Sequence, residues 1–446
     1  MPDKYLNKIL NAPVYDVAIE SPLDAAPGLS QRLGNRVLIK REDLQPVFSF
    51  KLRGAYNKLI NLSESDRNKG VIAASAGNHA QGVALAAARI KVPATIVMPQ
   101  TTPDIKVSAV RKWGAKVILH GDDFAAAYAC AMEIIGKQGL TLIHPFDDPD
   151  VIAGQGTVGM EVLRQHMGDI HAIFLPIGGG GLAAGVAAYV KTIRPEIKII
   201  GVEAVDSASM YYSLKKGRRV VLDQVGIFAD GVAVAQVGRE TFRLARKLID
   251  EVVLVDVDQI CAAVKDLFDD TRAIAEPSGA LAVAGMKIYA AQKKLLNKTL
   301  IAVNSGANVN FDRLRHISER AEIGEAREAL FAVTIPEQKG SFRRFCRILG
   351  KRSVTEFNYR YSNQSSAQIF VGVGLAEGNR ERALILKTLR KNGYHVRDLT
   401  DNDMAKLHIR HMVGGHPKNV GDEQVYRFEF PERPGALMNF LTHMGE

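Results

Sequence analysis

Short runs of Val, Ile and Leu recur along the first 310 or so positions of the chain. They fall at 37–40, 71–74, 94–98, 116–119, 172–177, 198–203, 251–255 and 299–303. Each is bounded by Gly, Pro or polar residues. Helical segments lie between most of them, for example at 80–90 and 241–248. Continuous apolar strands separated by helices predict parallel sheets covered on both faces. So long an alternation exceeds one comfortable core, so two α/β lobes with a cleft between them are expected. In such sheets ligands sit at the carboxyl ends of the strands.

Beyond that body the texture changes. Residues 316–329 are charged and helical, with Glu319, Arg320, Glu322, Glu325, Arg327 and Glu328. After them, strand-like runs at 331–335, 354–361, 368–375 and 395–399 enclose helical runs at 341–349 and 380–391. That β-α-β-β-α-β order predicts a small ferredoxin-like unit. A weak repeat follows at an offset of 95: Pro336, Glu337, Gly340, Phe345 and Gly350 match Pro431, Glu432, Gly435, Phe440 and Gly445. The expectation is a second copy of the unit, beginning near 424, with too few residues to complete its sheet.

Composition adds little. Of 446 residues, 47% are hydrophobic and 24% charged, as in an ordinary globular protein. The net charge of +10 divides into +4 up to Leu330 and +6 after it, with no run of five like charges. A nucleic-acid partner is therefore not expected. Cys130, Cys261 and Cys346 stand far apart with no CxxC, which signals neither disulfides nor a zinc site. No apolar run approaches a membrane span, and residues 1–9 do not read as a signal peptide. The expected location is the cytoplasm.

Five segments carry candidate chemistry. Gly178, Gly179, Gly180 and Gly181 follow a strand and, with Leu182, open a helix of small residues. Their backbone N–H groups suit an anion, and four glycines exceed what a tight turn needs. No Lys-Ser/Thr follows, so this is not a nucleotide P-loop. Ser75, Ala76, Gly77, Asn78 and His79 form a second strand-to-helix cradle, suited to a carboxylate, although ordinary capping accounts for part of it. Lys51, between Phe50 and Leu52 at a helix start, is either a snorkelling surface residue or a Schiff-base nucleophile. Glu276-Pro277-Ser278-Gly279 and Asn304-Ser305-Gly306-Ala307-Asn308 again precede helices. By contrast, Gly154, Gly156 and Gly159 fit GxGxxG by letter but follow a loop, so close helix packing explains them better.

Together these segments resemble the fold type II pyridoxal-phosphate enzymes, relatives of the tryptophan synthase β chain, and among them the biosynthetic threonine dehydratase family. The Pro-Glu…Gly…Phe repeat resembles the paired ACT-like regulatory modules of that family. The resemblance implies an α/β, two-lobed catalytic body at 1–320 with its small lobe near 45–150. A connecting helix at 321–328, an ACT-like module at 329–401, a linker at 402–423 and an incomplete second module at 424–446 would follow.

The resemblance also implies residue roles. Lys51 would form the Schiff base with pyridoxal 5'-phosphate, with Phe50 near the ring. Gly178, Gly179, Gly180, Gly181 and Leu182 would hold the phosphate. Asn78 would bond the ring oxygen and Ser305 would face the pyridine nitrogen. Ser75, Ala76, Gly77, Asn78 and His79 would bind the substrate carboxylate, with Ser75 and Glu276 counted beside Lys51 as catalytic. The implied reaction is dehydration and deamination of L-threonine, less so L-serine, to 2-oxobutanoate and ammonia. Feedback by isoleucine, possible response to valine, and a homotetramer are implied as well. Related serine racemases carry a second Ser where this chain has Ala76, so elimination without racemisation is expected. Metal-binding relatives place acidic residues after the strand containing Glu203; here only Asp206 is near, and no metal is expected. The alternatives are a catabolic serine/threonine dehydratase, or a non-catalytic amino-acid sensor or RNA-binding protein.

Overall fold

The computed structural model describes residues 2–311, 313–324, 328–350, 352–361, 366–375 and 378–402. Among the described residues, fourteen strands form three sheets. Those of the first compact unit, Met1–Phe311, are Leu23–Ala25 (β1), Arg36–Arg41 (β2), Val71–Ala74 (β3), Ala94–Met98 (β4), Lys116–Leu119 (β5), Thr141–Leu142 (β6), Ala172–Pro176 (β7), Lys198–Ala204 (β8), Glu251–Val255 (β9) and Thr299–Asn304 (β10). The larger sheet has the order β1-β2-β10-β7-β8-β9, and the smaller β5-β4-β3-β6. Every pairing is parallel except that of β1 with β2.

The two sheets are the two lobes expected from the pattern. Ile72, Ala73, Ile173 and Phe174 are buried, because helices cover both sheet faces. β1 and β6 were not anticipated, being too short to show a period. Gly154, Gly156 and Gly159 lie inside one helix, Pro149–Gln165. A Cβ on Gly154 would come within 2.6 Å of Arg53 O, and one on Gly156 within 2.9 Å of Gly185 O. They are packing glycines, as expected.

The second unit contains Glu328–Pro336 (β11), Val354–Tyr361 (β12), Ser366–Gly374 (β13) and His395–Asp398 (β14), in the antiparallel order β12-β13-β11-β14. Helices Ser341–Leu349 and Asn379–Lys391 cover one face. Phe345, Leu349, Ile385 and Leu389 pack there on Phe331, Val333, Ile369 and Val371. This is the β-α-β-β-α-β unit expected. The connecting helix differs: it runs Arg313–Gly324, earlier than 321–328, and Glu328 already opens β11. Charge alone suggested a helix through Glu328, but the apolar run that follows recruits that residue into the sheet. The proposed second module at 424–446, and the linker beyond Asn402, lie outside the described residues.

Candidate active site

Lys51 is the first residue of the helix Lys51–Ile60. Gly82 of the neighbouring helix Asn78–Ile90 lets that helix approach; a Cβ there would sit 3.0 Å from Leu52 N. The segment before Lys51 is tied to the end of β10. Ser49 pairs with Gly306, Phe50 N donates to Ser305 O at 3.3 Å, and Ala307 N donates to Phe48 O at 2.9 Å. Phe48 takes φ +55° in this turn, a conformation that costs a non-glycine residue about 1 kcal/mol.

The lysine amine donates to Pro145 O at 3.1 Å and lies 5.3 Å from the centre of the Phe50 ring. Burial pushes its pKa down from 10.5 to about 8, against a weaker upward pull from the Glu276 carboxylate. About one amine in ten is therefore an unprotonated nucleophile at pH 7, on the order of a hundredfold more than for an ordinary lysine.

Asn78, Glu276, Ser278 and Asn308 form one hydrogen-bonded chain. Asn78 Nδ2 donates to Glu276 Oε1 at 2.6 Å, and Asn308 Nδ2 donates to Asn78 Oδ1 at 2.7 Å. Ser278 Oγ donates to the same Glu276 oxygen at 2.8 Å. Glu276 stands at the N-cap of Pro277–Gln292 yet makes no side-chain cap. Burial, then Asp230, raise its pKa. Ser305 is buried beside this chain, with Oγ 3.3 Å from Ser278 O.

Two anion cradles open beside these groups. Among the described residues, no hydrogen bond takes up the backbone N–H of Gly178, Gly179, Gly180, Gly181, Leu182 or Ala183; the first satisfied amide is Ala184, on Gly180 O at 2.9 Å. The loop is walled closely. A Cβ on Gly178 would lie 2.9 Å from Val232, and one on Gly179 would lie 2.1 Å from the Phe146 ring. Gly180 has φ +94°, which only glycine adopts readily. A loop of free amides at a helix start, stripped of side chains, fits a phosphate.

The second cradle is 75–79, after β3. Ser75 Oγ accepts from Gly77 N at 3.2 Å. The amides of Ala76, Asn78, His79 and Ala80 are likewise free, and the space above Gly77 is open. The His79 ring points elsewhere: Nε2 meets Ile143 O at 2.8 Å, while burial, then Lys51, push its pKa down to about 3. Only its backbone is offered to a ligand, and the imidazole stays neutral.

Sequence reasoning missed the segment joining the lysine to the glycine loop. Pro145 O receives Lys51, Phe146 covers Gly179 and Gly181, and Asp147 accepts the amides of Arg239, Glu240 and Thr241. His144 Nδ1 accepts from Phe146 N and Asp147 N, which locks the turn. Thr241 Oγ1 donates to Gly179 O at 2.7 Å. Nothing periodic marks these residues. Glu203 spends both carboxylate oxygens on Met210 N and Tyr211 N. Among the described residues no group of three or more His, Cys, Asp or Glu could hold a metal. Nor is any described helix long and apolar enough to cross a membrane.

Residues 14–306 match the pyridoxal-phosphate dependent enzyme family, and residues 319–409 match the C-terminal regulatory domain of threonine dehydratase. The biosynthetic L-threonine dehydratase of Burkholderia multivorans is 60% identical over 99% of this chain and 87% of its own length. The processed form of threonine deaminase isoform 2 from Solanum lycopersicum superposes with a TM-score of 0.71 at 56% identity, covering 72% of this chain and 93% of that one. Maize serine racemase superposes at 0.66 with 31% identity, covering 70% of this chain and 95% of its own.

Proposed function

Because the chain belongs to the pyridoxal-phosphate dependent enzymes, and within them to the biosynthetic threonine dehydratases, we infer that it deaminates L-threonine to 2-oxobutanoate and ammonia, the first committed step of isoleucine biosynthesis. The observation that carries this is a lysine amine lowered to about pH 8 between two cradles of free amides. The cofactor is pyridoxal phosphate. Bound, it supplies the electron sink that makes the α-proton of an amino acid acidic.

This chain's residues divide the rest of the work in our reading. Lys51 would hold the cofactor covalently through Nζ, and the same amine would be the base for the α-proton. Gly178, Gly179, Gly180, Gly181 and Leu182 hold the phosphate through backbone amides, and Phe50 packs near the ring. The 75–79 cradle orients the substrate carboxylate, with Ser75 beside the reacting centre. Asn78, whose Nδ2 keeps a second hydrogen besides the one given to Glu276, would bond the ring oxygen. Ser305 presents a hydroxyl, not a carboxylate, to the pyridine nitrogen. A hydroxyl there would not keep that nitrogen charged, which would weaken the electron sink and favour loss of the β-hydroxyl over transamination. Glu276, its proton affinity raised, stands on the substrate side.

The regulatory domain argues against a catabolic serine/threonine dehydratase. We assign it the amino-acid effectors isoleucine and valine, and we place the enzyme in the cytoplasm as a homotetramer. Effector and catalytic sites must then be linked by a coupling free energy, typically about 1–3 kcal/mol. The test is 2-oxoacid release from threonine and serine, with and without isoleucine. Threonine turnover inhibited by isoleucine is expected. No turnover of either substrate by cofactor-loaded protein would overturn the assignment.

A further inference from the structure

A fully buried cluster of four charges lies outside the candidate site: Lys40, Glu42, Arg53 and Glu161. Arg53 is its centre. Its Nε and Nη2 donate to the two Glu42 oxygens at 2.7 and 2.8 Å. Its Nη1 and Nη2 donate to the two Glu161 oxygens at 2.5 and 3.0 Å. Thr157 Oγ1, at 3.1 Å from Nη1, takes the fifth N–H, and Ile19 O, at 3.1 Å from Nη2, shares a hydrogen with the carboxylates. Lys40 Nζ donates to Glu161 Oε2 at 2.6 Å, and Tyr15 OH to Glu161 Oε1 at 2.9 Å. Two cations and two anions cancel.

Burying such a cluster is costly, and an apolar core of the same volume would often be as stable. What it gives uniquely is direction. Arg53 stands two residues after Lys51 in the first turn of the same helix. At ~100° per residue it projects about 200° round the axis, away from the lysine. That turn has no side-chain cap of its own. The guanidinium fork fastens it to Glu42, just past β2, and to the helix Pro149–Gln165.

We propose that Arg53 is a positioning residue for Lys51: clamped between Glu42 and Glu161, it sets the rotation of the first helical turn and so aims the lysine amine. This rests on the reading of Lys51 as the lysine that holds the cofactor. A fork is needed because a lysine at 53 would be a point charge and could not hold two carboxylates in plane. The ionisable groups near Lys51 are Glu276, His79 and His144, and none of them touches the cluster.

The test uses full-length cofactor-free protein, pyridoxal phosphate, and Arg53→Lys. Covalent attachment is followed by absorbance across pH, then fixed with borohydride and mapped by peptide mass. The expected result is a folded variant whose attachment is at least about tenfold slower, with a pH midpoint moved away from that of the parent. Threonine kcat should fall with KM within about twofold, because the 75–79 cradle is on another helix. A folded variant with the parental rate and midpoint overturns the proposal, as does a loss that only tracks the folded fraction. Should Arg53→Lys not fold, Thr157→Val removes one acceptor and keeps every charge. A shift in the same direction of about two- to fivefold supports the proposal, and none overturns it. Lys51→Ala is the separate control: an adduct surviving it defeats the reading of Lys51 whatever Arg53 does.

Discussion

Gly154 and Gly54 meet backbone to backbone: a Cβ on Gly154 would lie 2.7 Å from Gly54 Cα. The contact is one link in a series. Gly82 sits tightly on Leu52 N, while Gly154 on Gly54 and Gly185 on Gly156 come too close for a side chain. The helix Asn78–Ile90 is thereby held on the helix Lys51–Ile60, and the helices Lys51–Ile60 and Gly181–Ile193 are both held on Pro149–Gln165. Gly154→Ala should cost about 1–3 kcal/mol by overpacking and slow cofactor attachment. Gly136→Ala is the contrast. It sits exposed in the helix Phe124–Gln138 with nothing within 4 Å, and should stabilise by about 0.5–1 kcal/mol. Denaturant unfolding of both variants checks the difference in sign.

The Lys51 amine sets a pH dependence. Its pKa of about 8 lies below the ordinary 10.5 because burial disfavours the charged form. In cofactor-free enzyme the attachment rate should rise about tenfold per pH unit on the acid side and level off above pH 8. An unshifted lysine would keep rising to about pH 10. Glu276 pulls the amine upward, so Glu276→Gln should move the midpoint down. Stopped-flow absorbance against pH measures both, and a midpoint near 10 refutes the desolvated site.

The strands and both cradles were legible because each depends on neighbours in sequence. Apolar runs bounded by breakers mark β3, β7 and β10, and glycines before helices mark 77–79 and 178–181. The Asn78–Glu276 bond spans 198 residues and the Arg53–Glu161 pair spans 108, and no local period reports either. Arg53 stands two residues after the candidate lysine, yet its burial could not be read from the sequence. An isolated arginine is usually a surface residue. His79 shows the reverse case. It belongs to a cradle by sequence, but only its backbone faces that way.

Gly179 should be a decisive position for the cofactor. Its φ is not in the left-handed region, so an alanine there is strained only by what it meets. That is the Phe146 ring, 2.1 Å from the new Cβ, held by the His144 turn. Gly179→Ala should retain most of the protein's stability and weaken pyridoxal phosphate binding at least about 100-fold, near 3 kcal/mol. Phe146→Ala in the same chain should return part of it by making room. Equilibrium dialysis of the two variants decides. If the double variant binds no better than Gly179→Ala, the steric account is wrong.

The similarity to maize serine racemase, at 31% identity over 70% of this chain, raises the question of which reaction follows loss of the α-proton. Racemisation requires a proton returned to Cα from the side opposite the base. Lys51, the base we propose, would serve one side only. In the 75–79 cradle the position two before Asn78 is Ala76, whose methyl has no proton to give. With L-serine the enzyme should therefore release ammonia and 2-oxoacid while D-serine stays below about one part in a hundred, a barrier difference of about 2.7 kcal/mol. Ala76→Ser restores a hydroxyl and should raise the D-serine fraction. Chiral chromatography of the serine reaction reads both. D-serine formed by the parent enzyme as fast as ammonia would show that another group supplies the proton and that Ala76 does not set the outcome.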